Sequence, residues 1–175
     1  MASRTILITG CSSGIGLASA RMMSARGWHV IATARKDADL AMLRADLKVD
    51  AVHLELADPN SVAACADRAL SLSGGRIDAL FNNAAYGQAG AVEDLSVDLL
   101  RRQFEVNLFA QHELIRRLLP GMRRQGHGRI VQCSSVLGLV AAPMRGAYCA
   151  SKFAMEGLTD SMRIELAGSG VHISL

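Results

Sequence analysis

Short β-branched runs alternate with amphipathic stretches along the whole of this chain, and that alternation restricts the fold more than any other feature. Thr5 to Thr9 reads as a strand and runs into a glycine-rich turn. Ile15 to Ala25 has helical spacing and stops at Gly27. His29 to Thr33, Ala51 to Leu56, Ile77 to Asn82, Arg129 to Cys133 and Val171 to Leu175 read as further strands. Between them, Asp37 to Asp46, Asn60 to Ser71, Ser96 to about Arg124 and Tyr148 to Leu166 read as helices, with Pro120 expected to kink or stop the long one early. Strands that alternate with helices form a parallel sheet covered on both faces. Right-handed crossovers then make this α/β chain a doubly wound parallel sheet, with strand order 3-2-1-4-5-6 as the simplest arrangement. In such a sheet, ligands bind beyond the carboxyl ends of the strands.

Composition removes the competing classes. The 175 residues are half hydrophobic and one-fifth charged, which suits a single domain spanning 1–175 and excludes a disordered polar chain. The net charge of +3 is dispersed. Its arginine pairs, Arg101-Arg102, Arg116-Arg117 and Arg123-Arg124, read as a solvated helix face, so no nucleic-acid partner is expected. No apolar run reaches membrane-spanning length and Ile6-Leu7-Ile8 is too short for a signal peptide, so the expectation is a soluble, cytoplasmic protein with no membrane partner. Cys11, Cys65, Cys133 and Cys149 lack paired spacing and read as reduced thiols. No metal site is expected either: His112-Glu113 opens a zincin-like pattern, but Arg116 stands where its second histidine belongs.

The first strand leads into Thr9-Gly10-Cys11-Ser12-Ser13-Gly14-Ile15-Gly16 and then directly into a helix. Glycines there permit a sharp turn and close approach of a pyrophosphate to the helix amino terminus. The spacing G-x-x-x-G-x-G is not the ordinary dinucleotide fingerprint, and Leu17 stands where a triphosphate-binding loop carries lysine. Gly10-Cys11-Ser12-Ser13-Gly14 also satisfies G-x-S-x-G, the nucleophile elbow of hydrolases. Asp160 and His172 complete that order, giving a minor reading as a serine hydrolase with Ser12 as nucleophile.

Further along, Tyr148 and Lys152 stand at i and i+4 on one helix face. Free tyrosine, with a pKa of about 10, is a poor acid–base group at neutral pH. A neighbouring ammonium stabilises its phenolate and makes it a useful one. Ser135 lies just past the fifth strand, where its hydroxyl can hold a substrate oxygen as charge develops on it.

Taken together, Thr9-Gly10-x-x-x-Gly14-x-Gly16, Asn82-Asn83-Ala84, Asn107, Ser135 and Tyr148-x-x-x-Lys152 resemble, in order and spacing, the motif set of the classical short-chain dehydrogenase/reductase family. The stretches Gly128 to Gly138 and Tyr148 to Leu166 look most like bacterial NADP-dependent aldehyde/ketone reductases, a group similar to 17β-hydroxysteroid and retinol dehydrogenases. The resemblance implies a Rossmann-type sheet and hydride transfer between NADP(H) and a carbonyl or alcohol, without a metal. It implies Tyr148 as general acid and base, and Lys152 as its partner and a ligand of the nicotinamide ribose. Ser135 would position the substrate oxygen, and Asn107 would hold a water behind Lys152. Gly10, Ser12, Ser13, Gly14, Ile15 and Gly16 would form the coenzyme turn. Asn82 would lie by the adenosine ribose, and Glu55 would stand where an aspartate often reaches the adenine.

Four expectations complete this reading. The second strand ends Ala32-Thr33-Ala34-Arg35-Lys36 without a carboxylate, so Arg35 is expected to pair with a 2′-phosphate and favour NADP over NAD. The apolar segment Val136 to Met144 points to an apolar aldehyde or ketone substrate, although Arg145 is a nearby cation. Phe153, Met155, Leu158, Met162 and Leu166 exceed what one buried face needs, which points to a homodimer or homotetramer paired through the two long helices. The chain stops within its sixth strand, which reads as truncation before a substrate lid. That leaves a catalytically silent NADP-binding fragment as the alternative function.

Overall fold

The computed structural model describes residues 3–175. Six parallel strands form one sheet in the order β3-β2-β1-β4-β5-β6, as the alternation predicts. They are β1 (Thr5–Ile8), β2 (His29–Ala34), β3 (Asp50–His53), β4 (Ala79–Asn82), β5 (Gly128–Gln132) and β6 (Val171–Ser174). The helices are α1 (Gly14–Ala25), α2 (Asp37–Leu47), α3 (Pro59–Leu72), α4 (Val97–Phe104), α5 (Ala110–Arg124) and α6 (Gly146–Glu165). Central β1 is buried at all four positions, because both of its faces carry helices. One apolar core, with Leu7, Leu80, Leu114, Leu118 and Ile130, lies on one side of the sheet. The other, with Ile8, Val30, Ala32, Leu40 and Leu43, lies on the opposite side.

Boundaries shift by up to two residues in other elements, and two elements differ more from the sequence reading. β3 ends at His53 instead of Leu56: Leu54 N–H still donates to Ala34 O at 3.0 Å, and then the chain turns, burying Leu54 and Leu56 off the ladder. The long helix is divided by a π-helical segment, Glu105–Phe109, and Pro120 does not stop it before Arg124. Pro120 lies close to the helix end, where only a few further residues remain to be carried. The π segment widens the helix where Asn107 turns fully inward.

At the amino ends of the strands, Asp78 ties three elements together and is only 3% exposed. Its carboxylate accepts from Thr5 N–H at 2.7 Å and from Arg76 Nε at 3.1 Å, and His127 Nε2 lies 2.6 Å away. Burial alone pushes this carboxyl up, but the hydrogen bonds from His127, Thr5 and Arg76 outweigh it and hold the pKa below the ordinary value.

On α6, Met155, Met162 and Leu166 just past its end all enter the core, whereas Phe153 faces outward at 47% exposure. The apolar excess on that helix is therefore smaller than the sequence count suggested.

Candidate functional site

Two signature segments grip each other across the β1–β4 pair. Thr9 Oγ1 accepts from Asn83 N–H and Ala84 N–H, both at 2.9 Å. Asn83 Nδ2 in turn donates to Thr9 O at 2.9 Å and Gly10 O at 3.3 Å. This clasp sets the glycine turn. Gly10 has φ +72, and a Cβ there would stand 2.9 Å from the Ala84 Cβ. A Cβ on Gly16 would stand 2.1 Å from Gly10 O, closer than atoms can pack, so the turn closes only with glycine. Gly14 has φ +56 and open space beside it.

A cleft of about 550 Å³ opens over this turn. Gly10, Ser12 and Ser13 form its floor, and Arg35, Lys36, Asp39 and Glu55 line it together with Asn83 to Tyr86. The Ser13 side chain, in the cleft lining, makes no capping bond and α1 has no acidic residue in its first turn, so the amides at that helix end are left without a side-chain partner. These features fit the diphosphate and adenosine half of a dinucleotide. At the far end, an Arg35 Nη1 lies 3.7 Å from Glu55 Oε2, while Glu55 Oε1 accepts from Ala57 N–H at 3.0 Å. Glu55 is thereby turned toward Arg35 and its own loop.

Asn82 lies outside the cleft lining. Its amide is buried and donates to Gln132 Oε1 at 2.8 Å and Gln111 O at 3.3 Å, bracing β4 against β5 and α5. Ile15 is 63% exposed on the first turn of α1.

The second cluster gathers where β5 meets α6. Lys152 is 1% exposed, and its Nζ donates to Cys133 O at 2.6 Å, pinning α6 to the end of β5. That nitrogen lies 5.7 Å from the Tyr148 ring centroid. Burial pulls the Lys152 pKa below its ordinary value, while Cys133 and the Glu156 carboxylate act in the opposite direction. Ser135 Oγ accepts from Leu137 N–H at 3.1 Å at the start of a short 3₁₀ turn, Val136–Gly138, and so keeps its own proton available. Asn107 uses both ends of its amide. Oδ1 accepts from Tyr86 N–H at 3.1 Å, and Nδ2 donates to Tyr86 O at 2.8 Å and Ser151 Oγ at 3.2 Å. Gly87 belongs to the same cluster: a Cβ there would lie 3.3 Å from the Tyr148 ring and 3.4 Å from Arg145 Nη1. The apolar wall is also present, with Val136 and Leu139 each 69% exposed.

Sequence reasoning assigned no role to Thr9, Asn83, Gly87 or Ser134. Thr9 and Asn83 stood inside quoted motifs, but their partnership spans the sheet and leaves no local pattern. The hydrolase reading is overturned. β6, which carries His172, is three strand spacings from β1, or roughly 14 Å. Asp160 is paired with Arg163 on its own helix.

The short chain dehydrogenase family profile matches residues 4–175. The oxidoreductase YbbO of Escherichia coli K12, itself uncharacterized, is 43% identical over 172 residues, covering 98% of this chain and 64% of that protein. This chain thus spans just under two-thirds of the relative's length. A crystal structure of a short-chain dehydrogenase from Streptomyces avermitilis superposes with a TM-score of 0.93 at 36% identity, covering 98% of this chain and 64% of that one. A metagenomic short-chain oxidoreductase in complex with NADP gives a TM-score of 0.93 at 31% identity, covering 98% and 80% respectively. With its sheet order, glycine turn and Tyr148–Lys152 pair all in place, the chain belongs to the short-chain dehydrogenase/reductase family.

Proposed function

We propose that the protein is an NADP(H)-dependent oxidoreductase acting on an apolar aldehyde or ketone, or on the corresponding alcohol. The observation that carries this reading is the placement of Lys152: a buried amine, anchored at 2.6 Å to the end of β5, beside Tyr148 on the same helix face. Bound NADPH supplies a hydride to the substrate carbon.

The chain's own residues do the rest. Ser135 donates a hydrogen bond to the carbonyl oxygen, strengthening as negative charge develops there. Tyr148 delivers the proton to that oxygen in reduction and takes it back in oxidation. The Lys152 charge stabilises the phenolate that remains. Asn107 braces the Tyr86 loop against Ser151, one turn from Tyr148, and so fixes the wall facing the tyrosine ring.

In the cleft, the amides of the Gly10–Gly16 turn would hold the diphosphate, and Arg35, whose only ion-pair partner among the described residues is the screened Glu55 at 3.7 Å, would hold the 2′-phosphate. The related oxidoreductase in complex with NADP supports the choice of coenzyme. Val136, Leu139, Val140 and Met144 offer exposed apolar surface beside Ser135, which supports an apolar substrate. Outward-facing Phe109, at the end of the π segment, and Phe153 on α6 support pairing of two copies through the long α4–α5 helix and α6.

The test follows NADPH absorbance across a panel of aldehydes and ketones. Tyr148→Phe, which keeps the ring but removes the transferable proton, should lower kcat by about 10²- to 10⁴-fold while NADPH still binds. Turnover that survives Tyr148→Phe, or no turnover of any carbonyl, overturns the reading.

A further inference from the structure

We propose that Glu156 is a positioning residue for the reaction proposed above: by accepting a hydrogen bond from Ser134 Oγ, it holds the turn after β5 against α6 and fixes where the Ser135 hydroxyl stands relative to Tyr148. The inference rests on that functional reading.

Tyr148, Lys152 and Glu156 are spaced four residues apart and form one stripe along α6. The last two grip the segment that leaves β5. Lys152 takes the Cys133 carbonyl, and Glu156 takes the hydroxyl of the next residue, Ser134. The Glu156 carboxylate makes no ion pair among the described residues; its hydrogen-bond partner is this hydroxyl, and its charge acts besides on Lys152 one turn back.

The turn itself is built for a close approach to α6. A Cβ on Gly138 would stand 2.9 Å from Ser134 Oγ and 3.2 Å from Glu156 Oε1, so a larger residue there pushes the turn off the helix. Within the turn, Leu137 N–H donates to Ser135 Oγ at 3.1 Å and Gly138 N–H donates to Ser135 O at 2.8 Å. The orientation of the Ser135 hydroxyl therefore depends on a turn anchored at its first residue by Glu156. One rigid helix then sets the proton donor, its ammonium and, through Ser134, the group that holds the substrate oxygen.

The test compares Glu156→Ala, Glu156→Gln and Ser134→Ala with the unmodified enzyme. It measures kcat and KM for a carbonyl that the unmodified enzyme reduces, the Kd of NADPH, and amide hydrogen exchange at Leu137 and Gly138. A displaced hydroxyl fails at the moment charge develops, so Glu156→Ala and Ser134→Ala should each lower kcat by about tenfold with little change in KM or NADPH binding. Glu156→Gln should recover most of that loss, because its amide oxygen accepts the same bond. The double variant Ser134→Ala/Glu156→Ala should be no slower than either single one. Exchange at Leu137 and Gly138 should quicken in the alanine variants and not in Glu156→Gln.

Unchanged kcat in Glu156→Ala, a Gln variant as slow as the Ala variant, or additive losses in the double variant each overturn the proposal. An unmodified protein that reduces no carbonyl defeats the functional reading instead. In that case the exchange data still decide: unaltered exchange in Glu156→Ala shows that Glu156 does not hold the turn.

Discussion

In the proposed function the Arg35 guanidinium carries most of the preference for NADPH, and Arg35→Ala measures its contribution. Arg35 lies 3.7 Å from Glu55, but their side chains are 71% and 36% exposed, so solvent screens the pair. Such a pair contributes about 0–1 kcal/mol. The guanidinium can therefore turn toward a phosphate at little cost. A hydrogen bond to a charged group contributes about 1.5–3 kcal/mol, and the high exposure of the arginine favours the lower end. Arg35→Ala should thus raise the Kd of NADPH by about ten- to thirtyfold, since 1.4 kcal/mol is a factor of ten.

NADH has no 2′-phosphate, so its Kd should change by less than about twofold in the same variant. Lys36 lines the same cleft and should carry the preference that survives. Glu55→Gln, which frees the guanidinium of its competing carboxylate, should leave NADPH binding at least as tight. Fluorescence titration of both coenzymes at two ionic strengths reads these effects, and the NADPH advantage should shrink with added salt. Equal weakening of both coenzymes in Arg35→Ala, or tighter binding of NADH by the unmodified protein, refutes the reasoning.

Two further outcomes follow from the core of the fold. Asp78 has its pKa held below the ordinary value, so the stability it contributes is fully present above the unfolded carboxyl pKa and is lost as pH falls through the folded one. Asp78→Asn should therefore destabilise by about 2 kcal/mol near neutral pH, the cost of hydrogen bonds to a charged group, with the difference narrowing in acid, and urea titrations from neutral to acid pH that show a constant difference count against it. Burial pushes the Cys11 and Cys65 thiols up to about 12, with a backbone bond from Thr33 opposing this only at Cys11. A thiol reagent at pH 8 should label neither until the protein unfolds; mass spectrometry showing rapid labelling of either in the folded protein overturns this.

The elements and their order were legible because periodicity is a local property. Runs such as Ile6-Leu7-Ile8 and His29 to Thr33 announce strands buried on both faces, and right-handed crossovers leave few ways to assemble them. The glycine turn and the Tyr148–Lys152 spacing were legible for the same reason, since each lies within one turn of chain. What tertiary structure alone decided is who meets whom across the sheet. Thr9 meets Asn83 from 74 residues away, and Thr5 meets Asp78 from 73. That the Glu55 carboxylate lies beside Arg35 was not legible either, because β2 and β3 bring those two loop ends together. The π segment at Asn107 was equally invisible, since the Asn107 amide is drawn in by Tyr86, on the loop after β4, and Ser151, on α6. Helical and strand periods are written in neighbouring residues, whereas a buried polar group finds its partner only after the chain has folded around it.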